Sequence, residues 1–342
     1  RFLKSTTRMP YRLAGNISLT GDQVTLVEGS SVVSNTEPSA MIAAWRQYLG
    51  ITSAPNFGDA GGVAIEAGTV TISAKSRVAS DSFTDGDAGS ISIKTDTLEV
   101  SDNARVYAGA LNAGNGGAIE IDAGQLRLAM QGSIVADVRD TGDGGAVHIK
   151  ADEMVVDHGS VYGSTSGLGV GSRVRVEVGE LSLANGGRIE SASFGIGQAG
   201  ELDIAAETVA ISGQGEWFDP KDVDAEPSGE VTRSGFVTST EASGDAGTIH
   251  LTTPDLDLDA GLIGSASTDD GAQKVRGQLV SRNFAEVASR PLGHELGARL
   301  VRTLTPASLP AAPTTVVLEQ RAVATLLPRI VSAFSAERIT SS

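Results

Sequence analysis

Four acidic or amide residues recur behind a glycine at one fixed step. Asp59, Asp87, Asn115 and Asp143 follow Gly58, Gly86, Gly114 and Gly142, each 28 residues after the last. Val170, Gln198 and Asp245 hold the same place behind Gly169, Gly197 and Gly244. If those positions stack, carboxylates lie about 5 Å apart and repel, and a cation would relieve them, as calcium does in β-rolls built from the nonapeptide GGxGxDxUx. That nonapeptide is absent here, and Asn115, Val170 and Gln198 interrupt the column. Asp and Asn also favour tight turns for their local hydrogen bonds. The expectation is turn chemistry, with no metal and no cofactor.

A second candidate chemistry is recognition by aromatic rings. The chain holds only two tryptophans, Trp45 and Trp217, with Tyr48 and Phe57 near the first and Phe218 beside the second. Exposed rings suit sugar faces or a partner's apolar side chains. The bland alternative is that they fasten their own loops to the body. Trp45, Tyr48, Phe57, Trp217 and Phe218 are the candidate binding residues.

These residues need a frame, and the period supplies it. After each glycine turn comes a pair of alternating apolar positions: Val63/Ile65, Ile91/Ile93, Ile119/Ile121, Val147/Ile149, Val174/Val176, Leu202/Ile204 and Ile249/Leu251, with Ile17/Leu19 as an upstream copy. Seven residues later a second pair follows, as in Val70/Ile72 and Leu98/Val100. A third strand is marked by Val32, Val78, Val106, Ile134, Val161, Ile189 and Ile263, each followed two positions on by Ser, Ala or Gly. Period-two alternation bounded by Gly and Asp is a strand signal. One such coil cannot bury its apolar positions alone, so the coils must stack over a shared core.

The fold expected is therefore all-β, a right-handed parallel β-helix of about eight 28-residue, three-strand coils with a helical C-terminal tail. The hand follows from the preference of parallel crossovers. A sandwich would need short hairpin turns, which the registers do not offer. The domains are an N-terminal arm over 1–12, the β-helix over 13–267 and a basic segment over 268–342. Two insertions break the count, 37–57 and 213–233. The first reads as a short helix from Ser39 to Leu49, the second as an acidic loop. One step is 27 residues because Asp157-His158-Gly159-Ser160 is a residue shorter than its counterpart, Ala129 to Ser133.

Charge divides along the same boundary. The chain of 342 residues carries a net charge of −16, but residues 271–342 hold nine Lys/Arg against four Glu, a net of +5 that leaves −21 for the remainder. An acidic body argues against nucleic-acid binding. Leu292, Leu296, Leu300 and Leu304 lie four apart, and Val323 to Phe334 also follows a helical period. Such basic amphipathic segments fit a cap for the open end of the solenoid, docking on an acidic partner, or contact with an anionic membrane surface. Cysteine is absent, which excludes disulfides and thiolate metal sites. No signal-peptide pattern follows Arg1, and no apolar run approaches the length of a membrane span.

Coils such as GNGGAIEIDAGQLRLAMQGSIVAD (114–137) and NGGRIESASFGIGQAGELDIAAETVAISG (185–213) resemble the haemagglutinin-like repeats of two-partner-secretion exoproteins, the filamentous haemagglutinin-like family. The resemblance covers about residues 13–267. It implies export through an outer-membrane β-barrel transporter of a Gram-negative bacterium and a secreted or cell-surface location. The implied role is a structural or adhesive module that presents binding loops to protein or glycan partners, or a subunit of an extracellular assembly. The secretion domain that such a transporter recognises is not evident. The alternative is a polysaccharide-active lyase or hydrolase. β-Helical hydrolases show Asn-Thr-Asp, Asp-Asp and Gly-His-Gly in that order, whereas here Asp269-Asp270 follows His158. A lyase would need clustered Asp and a basic residue; Arg173 and Arg175 flank Val174 and should point outward near Glu177. No catalytic residue is assigned and no enzyme is expected.

Overall fold

The structure is a computed structural model and describes residues 2–7, 14–36, 58–221, 229–241, 244–269, 272–276 and 280–281. Among these residues there is no helix. The first insertion with Trp45, Tyr48 and Phe57, and the amphipathic segments beyond 281, lie outside the described residues.

The strands form a β-solenoid made of two parallel sheets, joined only by the turns of successive coils. One sheet is built of long strands: Ile17–Leu26, Val63–Ile72, Ile91–Ser101, Ala118–Ala129, Ala146–Asp157, Arg173–Ala184 and Leu202–Ser212, ending in the pair Ile249–Thr253 and Asp255–Asp259. The other is built of short strands such as Ser31–Thr36, Ser133–Val138 and Ser160–Thr165. Eight rungs, seven turns from first to last, share one register: Val63 pairs with Ile91, Ile91 with Ile119, and Val147 with Val174.

The first two strands expected for each coil are one continuous strand with a corner inside it. In Val63–Ile72, residues 63, 65 and 67 are buried, and after two partly covered residues burial resumes at 70 and 72. The one-residue change of phase turns the chain while keeping every apolar side chain inward. The corner residue itself drops out of the ladder: pairing runs Ala67 with Thr95, then Thr69 with Thr97, and skips Gly68 and Asp96. Across the corner the Thr95 hydroxyl donates to the Gly68 carbonyl at 2.9 Å. Only in the last coil is the strand divided at the corner, where Pro254 stands.

The inward columns fuse into a single core that runs the length of the stack, from Leu26 and Val32 to Leu251 and Ile263. Branched aliphatic residues dominate it, and each fully buried one contributes roughly 1.5–3 kcal/mol. The third-strand column also takes in Phe236, which pairs with Ile189 on one side and Ile263 on the other. Ser34 and Ser80 face inward yet are satisfied, donating to the carbonyls of Gly15 and Gly61 at 2.8 and 2.7 Å.

Glycine at the turn is a packing requirement. A Cβ on Gly114 would lie 1.9 Å from the Gly86 carbonyl oxygen of the coil below, so the backbones stack directly there. The 27-residue step is equally local. Met130 and Gln131 both have positive φ in the five-residue bend, whereas the shorter bend uses His158 alone.

Both ends depart from the simple count. Phe2–Thr7 is a strand parallel to Ser31–Thr36, with Leu3 opposite Val32, so the short-strand sheet begins one rung earlier than the long one. At the other end Ala272–Arg276 pairs antiparallel with Leu262–Asp269 and closes that sheet.

Candidate functional site

The acidic turn column is a hydrogen-bond ladder. Asp59 Oδ1 accepts the backbone N–H of Asp87 at 2.9 Å, Asp87 Oδ1 that of Asn115 at 2.7 Å, Asn115 Oδ1 that of Asp143 at 3.0 Å, and Asp143 Oδ1 that of Val170 at 3.0 Å. Backbone bonds run beside it, Ala60 N–H to Asp87 C=O and Ala88 N–H to Asn115 C=O, both at 2.9 Å. Each acid therefore staples its own coil to the next. Among the described residues no cluster of His, Asp and Glu has the arrangement of a metal site. The ladder ends at Val170, which donates its N–H but has no side-chain acceptor to pass on.

Arg173 and Arg175 lie on the outer face of the long-strand sheet. Arg175 meets Glu177 at 2.5 Å and Arg173 meets Glu201 of the next rung at 2.6 Å. Lys150 and His148 approach the same Glu177 at 3.7 Å. These are solvated pairs, across rungs except for Arg175–Glu177, of the kind worth under about 1 kcal/mol each.

The second insertion is the most elaborated surface. It leaves the seventh rung as a small antiparallel hairpin, Gln214–Glu216 against Val231–Arg233, and lies over the outer face of the short-strand sheet. Several contacts fasten it. Phe218 stands edge-on to His158, with ring centroids 5.5 Å apart, and the His158 ring Nε2 lies 3.1 Å from the Glu216 carbonyl. The Ser133 hydroxyl donates to the Pro220 carbonyl at 3.1 Å, and Arg105 donates to that of Lys221. The Lys221 ammonium sits 4.8 Å from the Phe194 ring centre and 5.7 Å from that of Tyr162. Trp217 and Phe218 are each half-buried and line a shallow cleft with Tyr162, Arg188, Glu190 and Thr232. At its floor Arg188 and Glu190 pair at 2.8 Å, both well covered. Trp217 and Phe218 thus meet in one cleft; Trp45, Tyr48 and Phe57 lie outside the described residues.

Sequence reasoning missed a polar group on the same outer face. Asp81 and Asp137 occupy one outward column, two rungs apart, with Gly109 between them. The Tyr107 ring lies across Gly109, where a Cβ would come within 2.6 Å of it. The Arg105 guanidinium lies over that ring, 5.4 Å from its centre. Asp137 is fully buried, accepts a short bond from the Ser164 hydroxyl and faces Arg139 at 3.5 Å. Burial pushes the Asp81 carboxyl up to about 7, against the pull of Arg77, Arg105, Arg139 and the Gly109 N–H. Its Oδ1 has no hydrogen-bond partner. Burial likewise raises the Tyr107 phenol, with Asp137 and Asp81 adding to the effect. The signal available in the sequence was apolar character on the outward positions, since Val33, Tyr107, Val135 and Tyr162 break the expected alternation.

No family model, curated protein or solved structure matches the chain.

Proposed function

We propose that this chain is the stiff body of a secreted or surface-displayed exoprotein, working as a structural and adhesive module whose second insertion presents a recognition cleft to a protein or glycan. The observation that carries the reading is the way Trp217 is held. Contacts from His158, Ser133, Arg105, Phe194 and Tyr162 fix residues 216–221 to four different rungs, while Trp217 itself stays half exposed. A fixed ring above a covered Arg188–Glu190 pair suits a ligand with an apolar face and hydroxyl or amide edges, and fixing it beforehand lowers the entropy lost on binding. The repeat's resemblance to haemagglutinin-like coils supports export through an outer-membrane β-barrel transporter and action at the cell surface.

The test is binding of the purified chain and its Trp217→Ala variant to immobilised neutral and acidic polysaccharides and to intact cells. The reading expects at least a tenfold loss of binding with a thermal midpoint within about 2 °C of the parent. Equal binding by both proteins removes the cleft from the reading. Release of reducing or unsaturated ends from any of those polysaccharides, with or without calcium, replaces it with the polysaccharide-active alternative.

A further inference from the structure

The turn ladder fails at Val170 and Gln198, and on those same two coils apolar side chains come to the surface. Leu168 is 60% exposed, Ile196 61%, Val170 49% and Phe194 38%. Leu168 and Ile196 are neighbours, with Val170 two residues from Leu168, while the Phe194 ring faces Lys221. Gly195 stacks on Gly167 and Gly197 on Gly169, each with its Cβ position 1.9 Å from the carbonyl below, so Leu168 and Ile196 occupy equivalent places on adjacent rungs. On the preceding coils that place holds Asp85, Ala113 and Thr141. Scattered exposed aliphatics are ordinary, but a contiguous patch that replaces a structural hydrogen-bonding column marks a contact surface. Its rims are acidic. Asp140 and Asp143 lie on the rung before, Glu241 and Asp245 on the rung after, all exposed.

We propose that residues 291–304 of the chain dock on this patch as an amphipathic helix lying along the solenoid axis. By sequence this segment has Leu292, Leu296, Leu300 and Leu304 four apart, with Arg299 and Arg302 among them. Leucines four residues apart advance about 6.0 Å along a helix and rungs about 4.8 Å, so two successive leucines reach two successive rungs with a misfit of about 1.2 Å. Fourteen residues span about 21 Å, and the acidic rims are three rung steps apart, about 14 Å. The charges are complementary in sign, since residues 291–304 carry Arg299 and Arg302 against Glu295 and face acidic rims. The reach suffices, because the described chain ends with Val280–Ser281 beside the last rung and the ten residues to Pro291 extend up to about 33 Å. Ala272–Arg276 already closes the short-strand sheet, so the leucine pattern is not needed as a cap there.

The chain contains no cysteine, so an engineered pair reports cleanly. The full-length Ile196→Cys/Leu296→Cys protein, under mild oxidation, should form an intramolecular disulfide at least ten times faster than Asp85→Cys/Leu296→Cys, whose turn position lies four rungs away. Equal rates overturn the proposal, as does a product that is mainly a disulfide-linked dimer, since that would place the helix on a second copy. Leu168→Ser/Ile196→Ser alters only exposed positions and provides an independent reading. Tryptic cleavage after Arg299 and Arg302 should accelerate at least fivefold in that variant, and unchanged cleavage also overturns the proposal.

Discussion

Asp87 accepts the backbone N–H of Asn115 at 2.7 Å, across a separation of 28 residues. The relationship gives each acid of the column a structural partner in the next coil. Each carboxylate oxygen is aimed at an amide of the coil above, and Asn115 interrupts the run of charges. What reads as a ligand set in one dimension is a staple between rungs in three. The price is that any coil giving up the acid must find another use for its turn.

Asp87→Ala should cost about 1 kcal/mol, the usual worth of one such bond. The loss is local, because a solenoid coil contacts only its neighbours. Hydrogen exchange of the Asn115 amide should accelerate several-fold while amides near Ile249 keep their rate. Asp87→Asn, which retains the acceptor, should match the parent, and chelators should leave both unchanged.

Gly114→Ala and Gly21→Ala separate stacking from strand propensity. The Cβ at 114 meets the Gly86 carbonyl at 1.9 Å, whereas at 21 the nearest neighbour is the Gln23 carbonyl at 4.0 Å. The first substitution should lose about 3 kcal/mol, since backbone cannot move aside as a side chain can. The second should stay within about 0.5 kcal/mol. Urea midpoints of the two variants decide it.

Most of the frame was legible in the sequence because the solenoid repeats one solution. The columns Val63, Ile91 and Ile119, or Val70, Leu98 and Leu126, are the core columns of the structure. Several features escaped. The corner at Gly68 keeps the backbone extended, so an apolar phase change that looks like a strand boundary is none. Phe2–Thr7 fits the third-strand column through Leu3, Ser5 and Thr7 opposite Val32, Ser34 and Thr36, a short match with no glycine turn to announce it. The coverage of the outer face around Asp81 and Tyr107 depends on contacts between residues far apart in sequence, and no periodicity carries that. Of the candidate binding residues, Trp217 and Phe218 were identifiable because they stand where the count breaks.

Phe236 escaped too, because the second insertion separates it from its register and the other members of its column are Val or Ile. It is fully buried and is among the largest such side chains. Phe236→Ala should cost about 3–5 kcal/mol, while Phe236→Leu should cost under half as much. The damage should centre on the seventh and eighth rungs. Exchange at Ile189 and Ile263, its partners on either side, should accelerate before exchange at Val106 does.

Asp81 makes stability depend on pH in a direction opposite to that of a salt-bridged carboxylate. Its folded pKa is about 7 because burial outweighs Arg77, Arg105 and Arg139. In the unfolded chain it titrates near 4, so the unfolded state loses the proton first. Below about pH 4 both states hold the proton and there is no difference. Between about 4 and 7 the folded state binds more protons than the unfolded one, and stability falls as pH rises. Above 7 the loss levels off, at up to about 4 kcal/mol for a three-unit difference. Asp81→Asn removes the titration while preserving shape and an acceptor for the Gly109 N–H. The variant should therefore gain on the parent as pH rises from 5 to 8. Thermal midpoints of both proteins at those two pH values provide the check. A gap that does not widen means that Asp81 is already ionised at pH 5, and that the arginines around it, rather than its burial, set its charge.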